Sequence, residues 1–301
     1  MNARLPFSEL NSSPDMFGVL SQSVSEADFA LFQRLIERET GIYLAPVKKA
    51  LLVGRLASRL RQLGLRSLRE YYKRVAADPG ERVQMIDRIS TNETQFFRGP
   101  LHFDFLTNRI LPEWCAQEKA GQRPRHIRVW SAGCSTGEEP YSIAMTLLDR
   151  FPASSGWRIE IIATDLSTRV LEKARSGLWP LDKSDQIPPA CLKTFMLRGT
   201  GSQDGTMKAG PELREVLRFE RLNLLDEATY PRTGPFDLIF CRNVLIYFQP
   251  ATKAQVVGRL LDQLAPDGYL FVGHSESLNN LTDRIRTVMP TVYTLAAAGR
   301  R

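Results

Sequence analysis

Cysteine and histidine are scarce in this 301-residue chain, four of one and three of the other, with no C-x-x-C pair and no histidines at ligand spacing. Cys115, Cys134, Cys191 and Cys241 are therefore expected as free thiols. His102, His126 and His274 stand apart, so no structural metal is expected. No apolar run approaches the roughly 20 residues that span a bilayer, which argues against membrane insertion. Met1–Asp15 lacks the apolar centre of a secretion signal, and a cytoplasmic protein is expected. Also missing is G-x-G-x-x-G, the fingerprint of a dinucleotide-binding turn.

What is present is ordinary for a globular protein, with 43% hydrophobic and 24% charged residues. The length allows one large domain plus a smaller one. The formal charge of +7 is local: Pro46–Arg74 holds nine basic residues and one acid, leaving 31 basic against 32 acidic residues elsewhere. Val47, Leu51, Leu52, Leu56, Leu60 and Leu63 recur there at helical spacing, with Gly64 as a C-terminal cap. This places Lys48, Arg55 and Arg59 on one solvent face. Few acids stand at i,i+4 to neutralise them. An acidic partner fits that patch, either nucleic acid or a glutamate-rich helical surface. No aromatic residues interleave with the arginines to stack on bases.

Along the chain, residues 1–24 are polar and aperiodic and are expected to be a disordered arm. Ser25 is placed to cap a helix carrying Phe29, Phe32, Leu35 and Ile36, and residues 25–90 are expected to form a helical domain. Residues 91–124 are expected as an interdomain segment and linker helix (Leu101–Trp114), and 125–301 as a second domain. In that domain, strand-like runs at Ile127–Trp130, Ile159–Ala163, Leu217–Leu222, Phe236–Cys241 and Tyr269–Val272 alternate with helical stretches at Tyr141–Arg150, Thr168–Arg175 and Thr252–Leu264. The alternation predicts a doubly wound, mostly parallel α/β sheet. The long interval at about 178–214 is expected to fold locally as an inserted subdomain.

The most informative stretch is Val129–Ser142, where a strand meets a turn with Gly133 and Gly137 and then a helix that Pro140 suits in its first turn. Glu138 and Glu139 would repel a pyrophosphate there. A nucleoside with a positive centre and an amino acid tail fits them better. Asp165, ending the second strand, suits the two hydroxyls of a ribose. Asn223 and Leu224 could hold an adenine edge and face, while Arg242, Asn243 and then Tyr247 follow the fourth strand, at the carboxyl ends where doubly wound sheets bind ligands.

Thr91–Arg98, Ser131–Ser142, Phe236–Phe248 and Gly273–Ser277 together resemble the characteristic segments of the CheR family of chemotaxis receptor methyltransferases, and the likeness runs from about Ser25 to the C-terminus. That resemblance implies a Rossmann-like methyltransferase fold with a small N-terminal helical domain and an inserted β-subdomain. It implies S-adenosyl-L-methionine as cofactor and S-adenosyl-L-homocysteine as product, used to esterify glutamates on receptor signalling helices. By similarity, Asn92, Thr94 and Arg98 reach the cofactor and Gly133 belongs to its turn. Glu139 lies near the methionine portion, Asp165 on ribose, and Asn223 and Leu224 on adenine. Arg242 and Asn243 complete the pocket. Arg98 and Tyr247 are the expected catalytic residues, and Lys48, Arg55 and Arg59 the receptor-binding face. The implied partners are cytoplasmic receptor helices, with a receptor C-terminal peptide able to dock on the β-subdomain; no nucleic acid is expected, and the chain is expected to be a monomer. A nucleic-acid methyltransferase would carry an Asn- or Asp-Pro-Pro-aromatic element where this chain has Cys241-Arg242-Asn243-Val244. Arg98, Asp165 and Tyr247 speak against a cofactor-binding module without catalysis.

Overall fold

The computed structural model describes residues 25–231 and 234–296; the arm expected over 1–24 lies outside them. The chain divides into two compact units, one of residues 25–38 and Leu44–Ile89, the other of Glu39–Tyr43 and residues 90–296.

The first unit is helical. Helix α1 (Glu26–Thr40) starts at Ser25, whose hydroxyl accepts the Asp28 amide at 3.0 Å, as a capping serine should. Helices α2 (Lys49–Gln62), α3 (Leu68–Ala77) and α4 (Pro79–Ile89) follow. Phe32, Leu35, Ile36, Leu52, Leu56, Leu60, Tyr71 and Met85 are buried. The apolar stripe predicted for α2 is only half right, since Val47 and Leu51 are 87% and 43% exposed. A single 3-10 turn (Pro46–Lys48) precedes the helix, so Val47 is off its register. Gly64 does end the helix in the left-handed conformation, with Leu65 N donating to Leu60 O at 2.9 Å.

In the second unit, α5 (Pro100–Phe105) runs through wider π turns (Leu106–Ile110) into α6 (Leu111–Lys119). Pro112 has no amide to offer the regular ladder, and the wider turns directly precede it. Phe103, Leu106, Ile110, Leu111 and Trp114 are buried in the same cluster as Val129 and Phe240. Within 91–124, these side chains pack into this unit's core.

The sheet has seven strands: β1 (His126–Ala132), β2 (Arg158–Asp165), β6 (Leu217–Arg221), β7 (Phe236–Cys241), β8 (Leu264–Val272), β9 (Ile285–Met289) and β10 (Val292–Leu295), in the order β6-β2-β1-β7-β8-β10-β9. The first five are mutually parallel, while β10 is antiparallel to both of its neighbours. Alternate residues of β1 enter opposite layers: Ile127 and Val129 pack toward helix α7 (Glu138–Arg150), Trp130 and Ala132 toward α11 (Pro250–Asp262). Burying both faces explains the near-continuous apolar strands.

One expectation needs correction. Leu264 begins β8 and does not end a helix, because the turn-like Pro266-Asp267-Gly268 lies inside an irregular strand whose register with β7 shifts. The β9–β10 hairpin was not anticipated: its Pro290-Thr291 turn puts Thr291 at φ 64°, a conformation normally left to glycine or asparagine. The interval near 178–214 does fold locally. It forms a three-stranded antiparallel sheet, β3 (Leu178–Pro180), β5 (Thr206–Ala209) and β4 (Met196–Arg198) in that order, with short helices α9 (Pro189–Phe195) and α10 (Pro211–Glu215). Helix α8 (Thr168–Ser176) precedes it.

Candidate cofactor site

Strand progression reverses between β1 and β7, and in sheets of this kind ligands bind beyond the carboxyl ends of the strands at such a point. The turn after β1 is built for close approach. Gly133 and Gly137 have φ of 87° and 97°, and a Cβ on Gly133 would collide with Val244 of the turn after β7. Helix α7 begins at Glu138, so Pro140 is its third residue.

Asp165 ties this turn to β2. One carboxylate oxygen accepts the Ser135 amide and the other the Ser167 amide, both at 2.9 Å. Ser135 Oγ in turn donates to the Asn92 carbonyl at 2.8 Å, so Asn92, Ser135 and Asp165 form one chain of contacts. A carboxylate offers about four lone-pair sites and can accept several donors at once.

A second network joins Glu139, Arg242 and Arg98. Glu139 accepts from Ser131 Oγ at 2.7 Å and from Arg242 Nη1 at 3.3 Å. Arg242 Nη2 donates to the Arg98 carbonyl, while the Arg98 side chain donates to the Glu93 carbonyl at 3.2 Å. Burial raises the Glu139 carboxyl above its usual range, and the Arg242 charge opposes that rise. Thr94 is half-buried on the same segment. That segment is pinned by Phe96 N donating to Gln186 Oε1 at 3.0 Å and Phe97 N to Ser142 Oγ at 2.9 Å.

Asn223 and Leu224 follow β6, but neither stands open. Asn223 Nδ2 donates to Glu39 O at 2.8 Å and its Oδ1 accepts the Leu225 amide, while Leu224 is 8% exposed in the core beside Tyr230. Tyr247 is half-buried on the 3-10 turn Leu245–Tyr247 and is fixed through its backbone, its carbonyl accepting the Tyr43 amide at 2.9 Å. Sequence reasoning missed that anchor: Ile42 bridges Phe248, and Gly41 at φ 74° lets Leu225 and Phe248 approach. The one available signal was glycine after α1.

Of the nine buried side-chain polar atoms without a hydrogen-bond partner among the described residues, three belong to these networks or flank them: Asn92 Nδ2, Ser167 Oγ and Arg242 Nε. Unsatisfied buried donors are rare and costly. Together with Glu139 and Asp165 they fit S-adenosylmethionine, whose carboxylate and ribose oxygens accept hydrogen bonds and whose positive sulfur suits an acidic wall.

The three basic residues expected to face a receptor lie in the first unit and are not equivalent. Lys48 precedes α2. Arg55 donates to the Ile89 carbonyl. Arg59 is bound to the 3% exposed Glu81 through two hydrogen bonds of 2.8 and 2.6 Å. The expected solvent face is therefore corrected for Arg59, whose acid lies 22 residues away and is invisible to i,i+4 inspection. Among the described residues no helix is long and apolar enough to cross a membrane, and no group of three or more His, Cys, Asp or Glu side chains could hold a metal.

Residues 92–294 match the family described as CheR methyltransferase, SAM binding domain, and residues 27–90 match CheR methyltransferase, all-alpha domain. Chemotaxis protein methyltransferase 2 of Pseudomonas aeruginosa is 40% identical over 281 residues, covering 93% of this chain and 97% of that protein. The chemotaxis protein methyltransferase of Escherichia coli is 40% identical over 91% of this chain and 92% of its own length. That of Borreliella burgdorferi is 36% identical over 94% and 99%.

Proposed function

Because this chain belongs to the CheR methyltransferase family, we propose that it uses S-adenosylmethionine to esterify glutamate side chains on the cytoplasmic helices of chemotaxis receptors. The coarser statement, a methyltransferase with an S-adenosylmethionine-binding domain, rests on the match over residues 92–294. The observation that supports the finer one is the group of Glu139, Asp165 and Arg242 at the carboxyl ends of the strands, a partly acidic setting for a positive sulfur, in a chain whose relatives are chemotaxis methyltransferases. Bound there, the cofactor supplies a methyl group on a positive sulfur.

A glutamate carboxylate has a pKa of about 4.3 and is ionised near neutrality, so the chain has no proton to remove. Its task is to position the reactants and keep water out. Correct positioning can contribute on the order of 7–11 kcal/mol. Asn92, Thr94, Asp165, Arg242 and Asn243 hold the nucleoside, with Glu139 facing its positive end, and Gly133 gives it room. Asn223 and Leu224 line the adenine side through backbone and edge. Arg98 orients the cofactor or the outer carboxylate oxygen, and Tyr247 shapes the methyl channel. Too tight an ion pair between Arg98 and the attacking carboxylate would slow a reaction that neutralises charge. Lys48, with Arg55 beside it, offers the basic face for a glutamate-rich helix. The small sheet β3-β5-β4 offers an edge for a receptor C-terminal peptide, and the enzyme acts as a cytoplasmic monomer.

The test is incubation with methyl-labelled S-adenosylmethionine and receptor-containing membranes. Label that enters the receptor band and leaves in mild alkali supports esterification. Alkali-stable label would point to nitrogen and overturn it.

A further inference from the structure

The segment Gly273-His274-Ser275-Glu276-Ser277 follows directly on β8. Glu276 is 1% exposed. Its Oε2 accepts the amides of Gly273 at 2.6 Å and Asn243 at 2.7 Å, and its Oε1 accepts that of Ile246 at 3.1 Å. One carboxylate thus joins the end of β8 to both ends of the turn after β7. A buried carboxylate is costly unless its lone pairs are occupied, and three charge-assisted bonds to amides meet that need. The turn it grips holds Asn243 at φ 59°, a left-handed conformation that asparagine tolerates better than most residues with a side chain.

The fit is tight on both sides. A Cβ on Gly273 would lie 2.7 Å from Glu276 Oε2 and 2.9 Å from the Asn243 amide nitrogen. On the opposite side Val244 leaves no space for a Cβ on Gly133. The turn is wedged between the glycine turn after β1 and the Gly273–Glu276 segment.

We propose that Glu276 is a positioning residue for the cofactor site, its buried carboxylate fixing the backbone that presents Arg242, Asn243 and Tyr247. This rests on the reading that those three residues face the cofactor. Glu276 itself contacts backbone amides and does not reach the reacting atoms. It sets where the Arg242 guanidinium and the Tyr247 ring stand relative to Glu139 and Arg98. Glutamine at this position would turn an amide donor toward backbone donors and lose at least one of the three bonds.

The experiment compares S-adenosylhomocysteine affinity by calorimetry, with circular dichroism as the check on folding, for the wild type, Glu276→Gln, Gly273→Ala and Arg242→Ala. Glu276→Gln and Gly273→Ala disturb the same contact from its two sides. Each is expected to weaken binding about tenfold or more, the scale of one or two lost charge-assisted bonds, while the chain stays folded. A purely structural Glu276 would lower the melting temperature and leave affinity in the folded chain within about twofold, which would overturn the proposal. If Arg242→Ala also leaves affinity unchanged, it is the cofactor reading that has failed. Should the variants not fold, hydrogen exchange on the wild type decides: S-adenosylhomocysteine should slow exchange at Asn243 and Ile246, and unchanged rates there would overturn the proposal.

Discussion

The guanidinium of Arg242 and the carboxylate of Glu139 meet at 3.3 Å with 2% and 11% of their side chains exposed. An ion pair this dry gains little over an apolar pair, but losing one member leaves the other charge buried and unmatched. Arg242→Met is therefore expected to destabilise the protein by about 3 kcal/mol or more, read from urea unfolding. Adding Glu139→Gln to it should recover much of the loss. A double variant no more stable than Arg242→Met would show that the pair is not coupled.

The same burial raises the Glu139 carboxyl above the ordinary range, so it takes up a proton at a higher pH than an exposed glutamate. A positive sulfur favours the ionised form. Affinity for S-adenosylmethionine should fall as pH is lowered through that raised value, and the slope should vanish in Glu139→Gln. Calorimetry across a series of mildly acidic to neutral buffers checks this, and parallel profiles for the two proteins would contradict it.

His102 is fully buried, with Nε2 2.8 Å from Thr291 Oγ1, and burial pushes it from 6.5 down to about 3. Its proton is bound far more readily in the unfolded chain. The stability contributed by neutral His102 is thus complete above about 6.5 and is lost progressively as pH falls from there toward about 3. The urea midpoint should drop between neutral and mildly acidic pH in the wild type, and drop less in His102→Gln. Equal drops would assign acid sensitivity to other groups.

Arg59 is a stability residue before it is a surface one. Its bonds to Glu81 hold that carboxyl below its usual range, with Tyr71 donating a further bond at 2.8 Å. Arg59→Glu would set two carboxylates together in a half-buried site and should lower the melting temperature clearly. Lys48→Glu should lower melting less than Arg59→Glu does and raise the apparent KM for receptor. A normal melting temperature for Arg59→Glu would mean that the Glu81 contact contributes nothing.

The elements whose faces are both buried, β1, β2 and β7, were legible because their apolar runs are short and bounded by turn residues. The charged residues at their carboxyl ends were legible for the same reason: Asp165 and Arg242 stand where each strand must stop. What escaped depended on distant partners. Glu81 meets Arg59 from another helix, Glu39–Tyr43 braces Asn223 and Tyr247 from far up the chain, and Glu276 acts only through backbone amides. No periodicity or local spacing encodes such contacts. The β9–β10 hairpin was hidden by a turn that uses threonine where glycine would have announced it.

The central claim is that the acceptor is a side-chain oxygen anion. Its most direct measurement is tandem mass spectrometry of receptor peptides after reaction with S-adenosylmethionine. The predicted result is a methyl group on glutamate side chains, released as methanol by mild alkali and absent with Arg98→Ala. A methyl group found on lysine, arginine or a nucleobase, with unmodified glutamates, would contradict it.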